Sequence, residues 1–413
     1  RNIMNSLNRQ IFRKKTTIAS FISTWNTANI SAGSSTASQI KLPLLNGGTY
    51  NFTVDWGDGS SNTVTSYNQS DVLHNYTVAR IYEIKITGIC KGLSFYNQGD
   101  KDKIISISQW GCLNLIGGDG TFYGCSNLDL STVSDLLNLT GISSLGTFFM
   151  NCSKLKTVAR INEWDISNIK QMAGMFLRCL QFNQTIVFNA PSLNSVSQMF
   201  LGCSKFNSPV TLVSEKLTSY KEMFYECSAF NSSLNIPTKN ITAIDSMFGY
   251  CTVFNQDISA WHTSNVTTMK FTFGNCSAFN QNIGNWNTSK VTNMEYMFRN
   301  ATVFNQDISN WDTSLVRNMQ DMFQLAKAFN QDVGKWNVSQ VEYSFSGAMI
   351  NYPFIETLSI KNYDNLLTKW SLQSVKPNLK IIFKSKYTVS GLVGRNTLKS
   401  APNNWIVDDY GMQ

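Results

Sequence analysis

The chain reads mainly as a repeat solenoid preceded by an all-β sandwich, and three observations predict it. Phenylalanine recurs at Phe122, Phe149, Phe176, Phe200, Phe224, Phe248, Phe273, Phe298, Phe323 and Phe345, at intervals of 27, 27, 24, 24, 24, 25, 25, 25 and 22 residues. Cysteine keeps the same clock three residues later, at Cys125, Cys152, Cys179, Cys203, Cys227, Cys251 and Cys276, and Ala301, Ala326 and Ala348 take that place in later copies. Upstream of the repeats, short runs such as Tyr50, Phe52 and Val54 alternate apolar with polar residues, as half-buried strands do. A unit of this size cannot bury its own apolar face, so successive coils must stack and share one core.

Residues 1–20 carry Arg9, Arg13, Lys14 and Lys15 and read as a basic tail or a contact with an acidic neighbour. Residues 21–95 read as the β module. Within it, Asp58-Gly59 is a tight-turn dipeptide and Tyr82, Ile84 and Ile86 alternate as another strand. The segments FTVDWGDGSSNTV, His74-Asn75-Tyr76 and IYEIKITG resemble a PKD-type β-sandwich. Asp55 and Asp58 read as turn residues, since the several oxygen ligands of a calcium site are not spelled out.

Residues 96–350 are assigned to about ten coils, each expected to hold one short strand and one short helix. Met294, Met297, Phe298 and Ala301 fall at i, i+3, i+4 and i+7, the spacing of one helix face, and Phe304 and Ile308 suit an extended segment. The cysteine position accepts alanine, so it wants a small buried group, and parallel stacking at roughly 4.8 Å disfavours disulfides there. A reduced cysteine ladder is expected. Asn183, Asn207, Asn231, Asn255, Asn280, Asn305 and Asn330 form a second register, read as a buried amide ladder with an exposed polar column as its alternative. Trp261, Trp286, Trp311 and Trp336 form a third, which is either packing between coils or a ligand-contact strip.

The unit FNQDISNWDTSLVRNMQDMF, beginning at Phe304, resembles the BspA-like bacterial surface protein repeat of about 26 residues, a branch of the leucine-rich repeat proteins. The resemblance covers roughly residues 120–350, and the copies from Phe182, Phe206 and Phe230 lack the Trp. It implies a right-handed, leucine-rich-repeat-like solenoid displayed outside a cell, often adhesive. Similar repeats occur in proteins of protists and large DNA viruses. After Phe345 the period fails, and residues 351–413 read as a C-terminal cap with a short amphipathic helix running from Asn365 through Trp370.

The formal charge of +8 comes from the ends. Residues 1–54 carry six Lys or Arg and no acid, whereas the stretch between the basic ends holds twenty bases against twenty-two acids. A near-neutral body without a basic stripe argues against nucleic acid. No stretch approaches the roughly 18 apolar residues of a membrane helix. The two histidines, His74 and His262, sit in a β-module motif and at a variable repeat position, and there is no metal-ligand spacing, nucleophile motif or phosphate loop. No cofactor and no catalytic activity are expected. The function classes that remain are an extracellular or cell-surface adhesion protein binding protein or glycan, and a structural component of a larger assembly such as a virion surface, held by neighbouring subunits.

Overall fold

A computed structural model describes residues 19–346, 353–356 and 358–413. The basic cluster from Arg9 to Lys15 and the repeat residue Ala348 lie outside them.

The chain opens with β1 (Phe21–Asn26), β2 (Gln39–Lys41), β3 (Leu44–Asp55), β4 (Ser61–Val64), β5 (Leu73–Asn75), β6 (Ile81–Leu93), β7 (Ile104–Gln109) and β8 (Leu113–Asn114). The main sheet runs β4-β3-β6-β1-β7, with β8 parallel to β6, and β2 pairs antiparallel with β5 in a separate ribbon. Alternation decides which face is buried: Phe21 and Trp25, Phe52 and Val54, and Ile84 and Ile86 all turn inward. Beneath the loop that leads to β2, Lys103 and Asp100 form a fully buried ion pair 3.5 Å apart. The ammonium also donates to the carbonyls of Ser35, Thr36 and Gln39, and the carboxylate accepts from the Ser35 and Lys41 amides. Burial pushes the Lys103 pKa down and Asp100 opposes it.

The β module does not end at residue 95. β7 pairs with β1, and Ser106 and Asn114 bridge in parallel to Asp129 and Asn138 of the first coils, so the sheet edge is the platform on which the stack is built. Phe95 already belongs to the phenylalanine series. Its N–H bonds the Thr121 carbonyl, as that of Phe122 bonds Phe148 one coil later. Phe345 leaves the series. Asp321 donates to the Phe345 carbonyl where the equivalent Tyr296 donates to Gln320, and the Phe345 ring packs instead on Trp370 and Phe354.

The expected helix in each coil is absent among the described residues, and consecutive turns replace it. In the coil around Phe298, the amides of Met297, Arg299 and Ala301 donate three residues back, whereas those of Met294, Tyr296, Phe298 and Asn300 donate to the next coil at Asn318, Gln320, Met322 and Gln324. A helix would send every amide back within its own segment. Left-handed residues break it: φ is 56° at both Tyr296 and Asn300, and the same two positions are left-handed in coil after coil. In the first coils glycine takes several of them, at Gly120, Gly124, Gly174 and Gly202.

Nor does every coil contain a strand. β9 (Ile186–Asn189), β10 (Val210–Val213) and β11 (Leu234–Asn235) form a parallel sheet in the order β11-β10-β9, in the copies that lack Trp. In later copies Asp257, Asn282, Asp307 and Asp332 accept from the amide two residues on, and these local turns occupy the segment. Stacking there is held by the coil-to-coil amide bonds, by the parallel bridges from Thr268 to Asn293 to Asn318, and by parallel-stacked phenylalanines such as Phe273 and Phe298, 5.7 Å apart.

The C-terminal region contains α1 (Ile360–Trp370), β12 (Lys380–Ile382), α2 (Val389–Lys399) and β13 (Ile406–Asp408), with β12 and β13 parallel. Ser359 caps α1 by accepting from the Asn362 amide. One apolar core runs from Phe21 through the coils to Val407. Among the described residues no helix is long and apolar enough to cross a membrane.

Candidate recognition surface

The tryptophan series is packing and not a contact strip. Trp286, Trp311 and Trp336 are buried, Trp261 is half-buried, and the rings of Trp261 and Trp286 stack 6.2 Å apart. The indole N–H groups of Trp286, Trp311 and Trp336 donate to the carbonyls of Ile258, Ile283 and Ile308 in the preceding coil, each at 3.1 Å. Trp370 of α1 makes the same bond to Val333, so the cap extends the series by one step. Large aromatics bury most when their one polar atom finds a partner, which this carbonyl supplies.

All nine cysteines are unpaired and buried. The thiols of Cys152, Cys179, Cys203, Cys227, Cys251 and Cys276 donate to the carbonyls of Phe122, Phe149, Phe176, Phe200, Phe224 and Phe248 at 2.8–3.1 Å. Burial pushes the Cys203 and Cys227 pKa values well up, which keeps them protonated and poorly nucleophilic. Cys125 is likewise buried, and burial raises its pKa.

The asparagine register does connect coils, but at the surface and not in the core. The side-chain oxygens of Asn255, Asn280 and Asn305 accept the amides of Asn280, Asn305 and Asn330 at 2.8–3.0 Å, and Asn330 accepts from Ser359 of the cap. Asn183, Asn207, Asn231 and Asn305 are exposed, and Asn255, Asn280 and Asn330 are half-buried. Asp58 lies in a turn, where its carboxylate accepts from Ser60 and from His74 at 2.8 Å. Burial raises its pKa, and the bonds from Ser60 and His74 outweigh this, bringing it down to about 2. Among the described residues no group of three or more His, Cys, Asp or Glu could hold a metal.

The surface feature that the periodicity did not reveal lies one residue after the phenylalanines of the earlier coils, up to Phe224. The carbonyls of Tyr123, Met150, Leu177, Leu201 and Tyr225 accept, in turn, the amides of Asn97, Gly124, Asn151, Arg178 and Gly202, so these residues are neighbours along the stack. Tyr96 heads the line and is 59% exposed, and the others are half-buried. Next come Gly249 and Gly274. A Cβ on Gly249 would meet the Tyr225 ring at 2.8 Å, and one on Gly274 would meet the Phe271 ring at 2.6 Å. Aromatic side chains therefore lie over bare backbone. Tyr225 and Tyr250 are 5.3 Å apart, Tyr250 and Phe271 5.6 Å, and Phe271 and Tyr296 6.4 Å, with the Arg299 guanidinium over the Tyr296 ring. Tyr250, Phe271 and Tyr296 are all left-handed, at φ 64°, 55° and 56°. These are the positions that are left-handed in coil after coil, so the repeat geometry itself sets the backbone under the surface aromatics. Burial and the neighbouring Tyr250 push the Tyr225 pKa up to about 12.

A family model described as Mycoplasma protein of unknown function, DUF285, matches residues 119–237, 143–261, 234–314 and 272–391, together about two thirds of the chain. The chain belongs to this family. It is a BspA-like repeat family, in which the unit repeats through four overlapping matches. No curated protein and no solved structure matches the chain. The DUF285 span contains the stripe from Tyr123 to Tyr296, while Tyr96 and the β module precede it.

Proposed function

We propose that this DUF285 chain is a non-enzymatic recognition protein of an extracellular or virion surface, binding its partner through the apolar stripe. In this reading the coils are a leucine-rich-repeat-like solenoid and the N-terminal sheet is a PKD-like module that carries them. The stripe is the observation that supports it. The repeat phenylalanines and Trp286, Trp311 and Trp336 are buried, yet apolar side chains stay accessible one residue after the phenylalanines from Tyr96 to Tyr225 and continue as Tyr250, Phe271 and Tyr296 where glycine takes that position. Contiguous apolar surface of this kind marks interaction sites.

Replacing Leu177 and Leu201 together by Lys charges the middle of the stripe without touching the core. The labelled wild-type chain should bind intact cells saturably, and the double variant should lose that binding while keeping its thermal midpoint. Equal binding by both would place recognition elsewhere. One observation favours the assembly reading: beyond β12 the cap exposes the apolar side chains of Val389, Val393, Ile406 and Tyr410. Sedimentation at rising concentration separates the two readings, since end-to-end contact would produce filaments or oligomers that Val393→Lys abolishes.

A further inference from the structure

We propose that the cleft bracketed by Arg178 and Glu226 binds a neutral carbohydrate chain, with one sugar ring between these two side chains and the next stacked on the Tyr225–Tyr250 aromatic pair. This rests on the recognition reading above and names its ligand class.

The cleft has a volume of about 410 Å³ and lies on the corner one residue beyond the stripe. Its floor is Gly202. A Cβ there would come within 3.0 Å of the Arg178 side chain, so the glycine leaves a hollow over which that chain lies. Arg178 belongs to the coil before Gly202 and Glu226 to the coil after it, which separates them by about two coil spacings, ~10 Å. Both are exposed, and among the described residues neither side chain forms a hydrogen bond or ion pair. A free donor and a free acceptor therefore line one cleft, from the coils on either side of Gly202.

The ligand class follows from charge and shape. One positive and one negative group cancel, so no strongly charged ligand is selected. A pyranose suits both at once, because its hydroxyls accept from the guanidinium and donate to the carboxylate. Its C–H face is apolar and packs on aromatic rings. Those rings adjoin the cleft: Tyr250 follows Glu226 along the same corner, and Tyr225 bonds Gly202 through its carbonyl at 2.7 Å. A protein partner needs about 800 Å² on each side, whereas a cleft near the small end of ligand sites suits one or two sugar units.

Two other clefts among the described residues hold carboxylates that already have partners within the fold. The one of about 700 Å³ between the last coil and the cap contains Asp364, which accepts from Thr388, and Asp332, which accepts from Asn365. The Asp332 bond docks the cap, and the Asp364 bond ties α1 to the start of α2. In the one of about 400 Å³ near Tyr96, Asp119 accepts from Ser144 and the Gly146 amide.

The test uses an array of neutral oligosaccharides built from hexoses and N-acetylhexosamines, followed by calorimetric titration of the strongest responder. Arg178→Gly and Tyr225→Leu are suitable variants, because Gly202 and Leu201 already occupy the same two positions of a neighbouring coil and the fold accepts them. Each should weaken binding about tenfold or more, and Val187→Ala on β9 should leave it unchanged. No response on the array, or a response that both variants retain, overturns the proposal. If the stripe still mediates cell binding that free oligosaccharide does not inhibit, recognition stands and the carbohydrate assignment falls. If stripe-dependent binding is also absent, both fall.

Discussion

Single residues carry more conformational strain here than their identities suggest. Thr147 sits at φ 50° between Gly120 and Gly174, which occupy the same position in the adjoining coils. A β-branched residue in the left-handed region costs about 1–2 kcal/mol, part of which glycine returns through its larger unfolded entropy. Thr147→Gly should therefore stabilise the chain by roughly 1 kcal/mol, read as a higher denaturant midpoint at unchanged slope. A loss of stability would mean that the threonine side chain makes contacts worth more than the strain. Asp58 sets a pH dependence at the same scale. Its folded pKa of about 2 lies below the ordinary 3.8, so its stabilisation is present above the unfolded value and disappears as pH falls through about 2. Acid titration should show stability of the β module falling from about pH 4 towards 2, and Asp58→Asn should flatten that fall. The sequence announced Asp58 through its turn dipeptide, but the His74 partner sixteen residues away required the fold.

At the scale of the element, the spacing of Met294, Met297, Phe298 and Ala301 misled because two structures satisfy it. A helix and a run of three-residue turns both bring such residues to one side, and hydrophobic periodicity cannot separate them. The separating signal was present in the glycines: Gly120 and Gly124, then Gly174 and Gly202, fall at the positions that Tyr296 and Asn300 later occupy with positive φ. The stripe went unread for the same reason, although its signal was present: Tyr123, Met150, Leu177, Leu201 and Tyr225 each follow a core phenylalanine where a two-turn helix would expose a polar residue. The Trp and Asn registers were both visible, but burial decides their roles and no single sequence contains it. Their energetics should differ accordingly. Asn280→Ala frees the Asn305 amide at a half-exposed surface, where water replaces the lost acceptor, and should cost about 1 kcal/mol or less. Trp311→Phe removes the indole bond to the Ile283 carbonyl, which keeps the Trp286 amide as a partner, and should cost about 1 kcal/mol in that bond, with the lost packing of a buried ring added to it. Urea melts of the two variants give the comparison, and a larger cost at Asn280 would reverse the assignment of inside and outside.

The whole molecule combines one continuous apolar core with contacts that reach only from each coil to the next, and these two facts make opposite demands on cooperativity. The uninterrupted core from Phe21 to Val407 favours a single transition. Contact through nearest neighbours favours a stack that separates at its weakest interface. Phe248 tests which one governs. It lies mid-stack, fully buried, against Phe224 at 5.9 Å, Phe254 at 4.0 Å and Phe273 at 5.9 Å, so truncation removes contacts on both sides of one coil. Phe248→Ala should cost about 3–5 kcal/mol. Because the platform of β3 and β6 is built from its own antiparallel ladder, that loss should not reach it. Hydrogen exchange on the variant should therefore show faster exchange for the amides of Phe224, Phe248 and Phe273 and their coil neighbours, with protection in β3 and β6 unchanged. Denaturation monitored by two probes should then split into two steps. Uniform acceleration from Phe52 to Val407 would instead show that the β module, the coils and the cap melt as one body, and that the shared core outweighs the one-dimensional wiring of the stack.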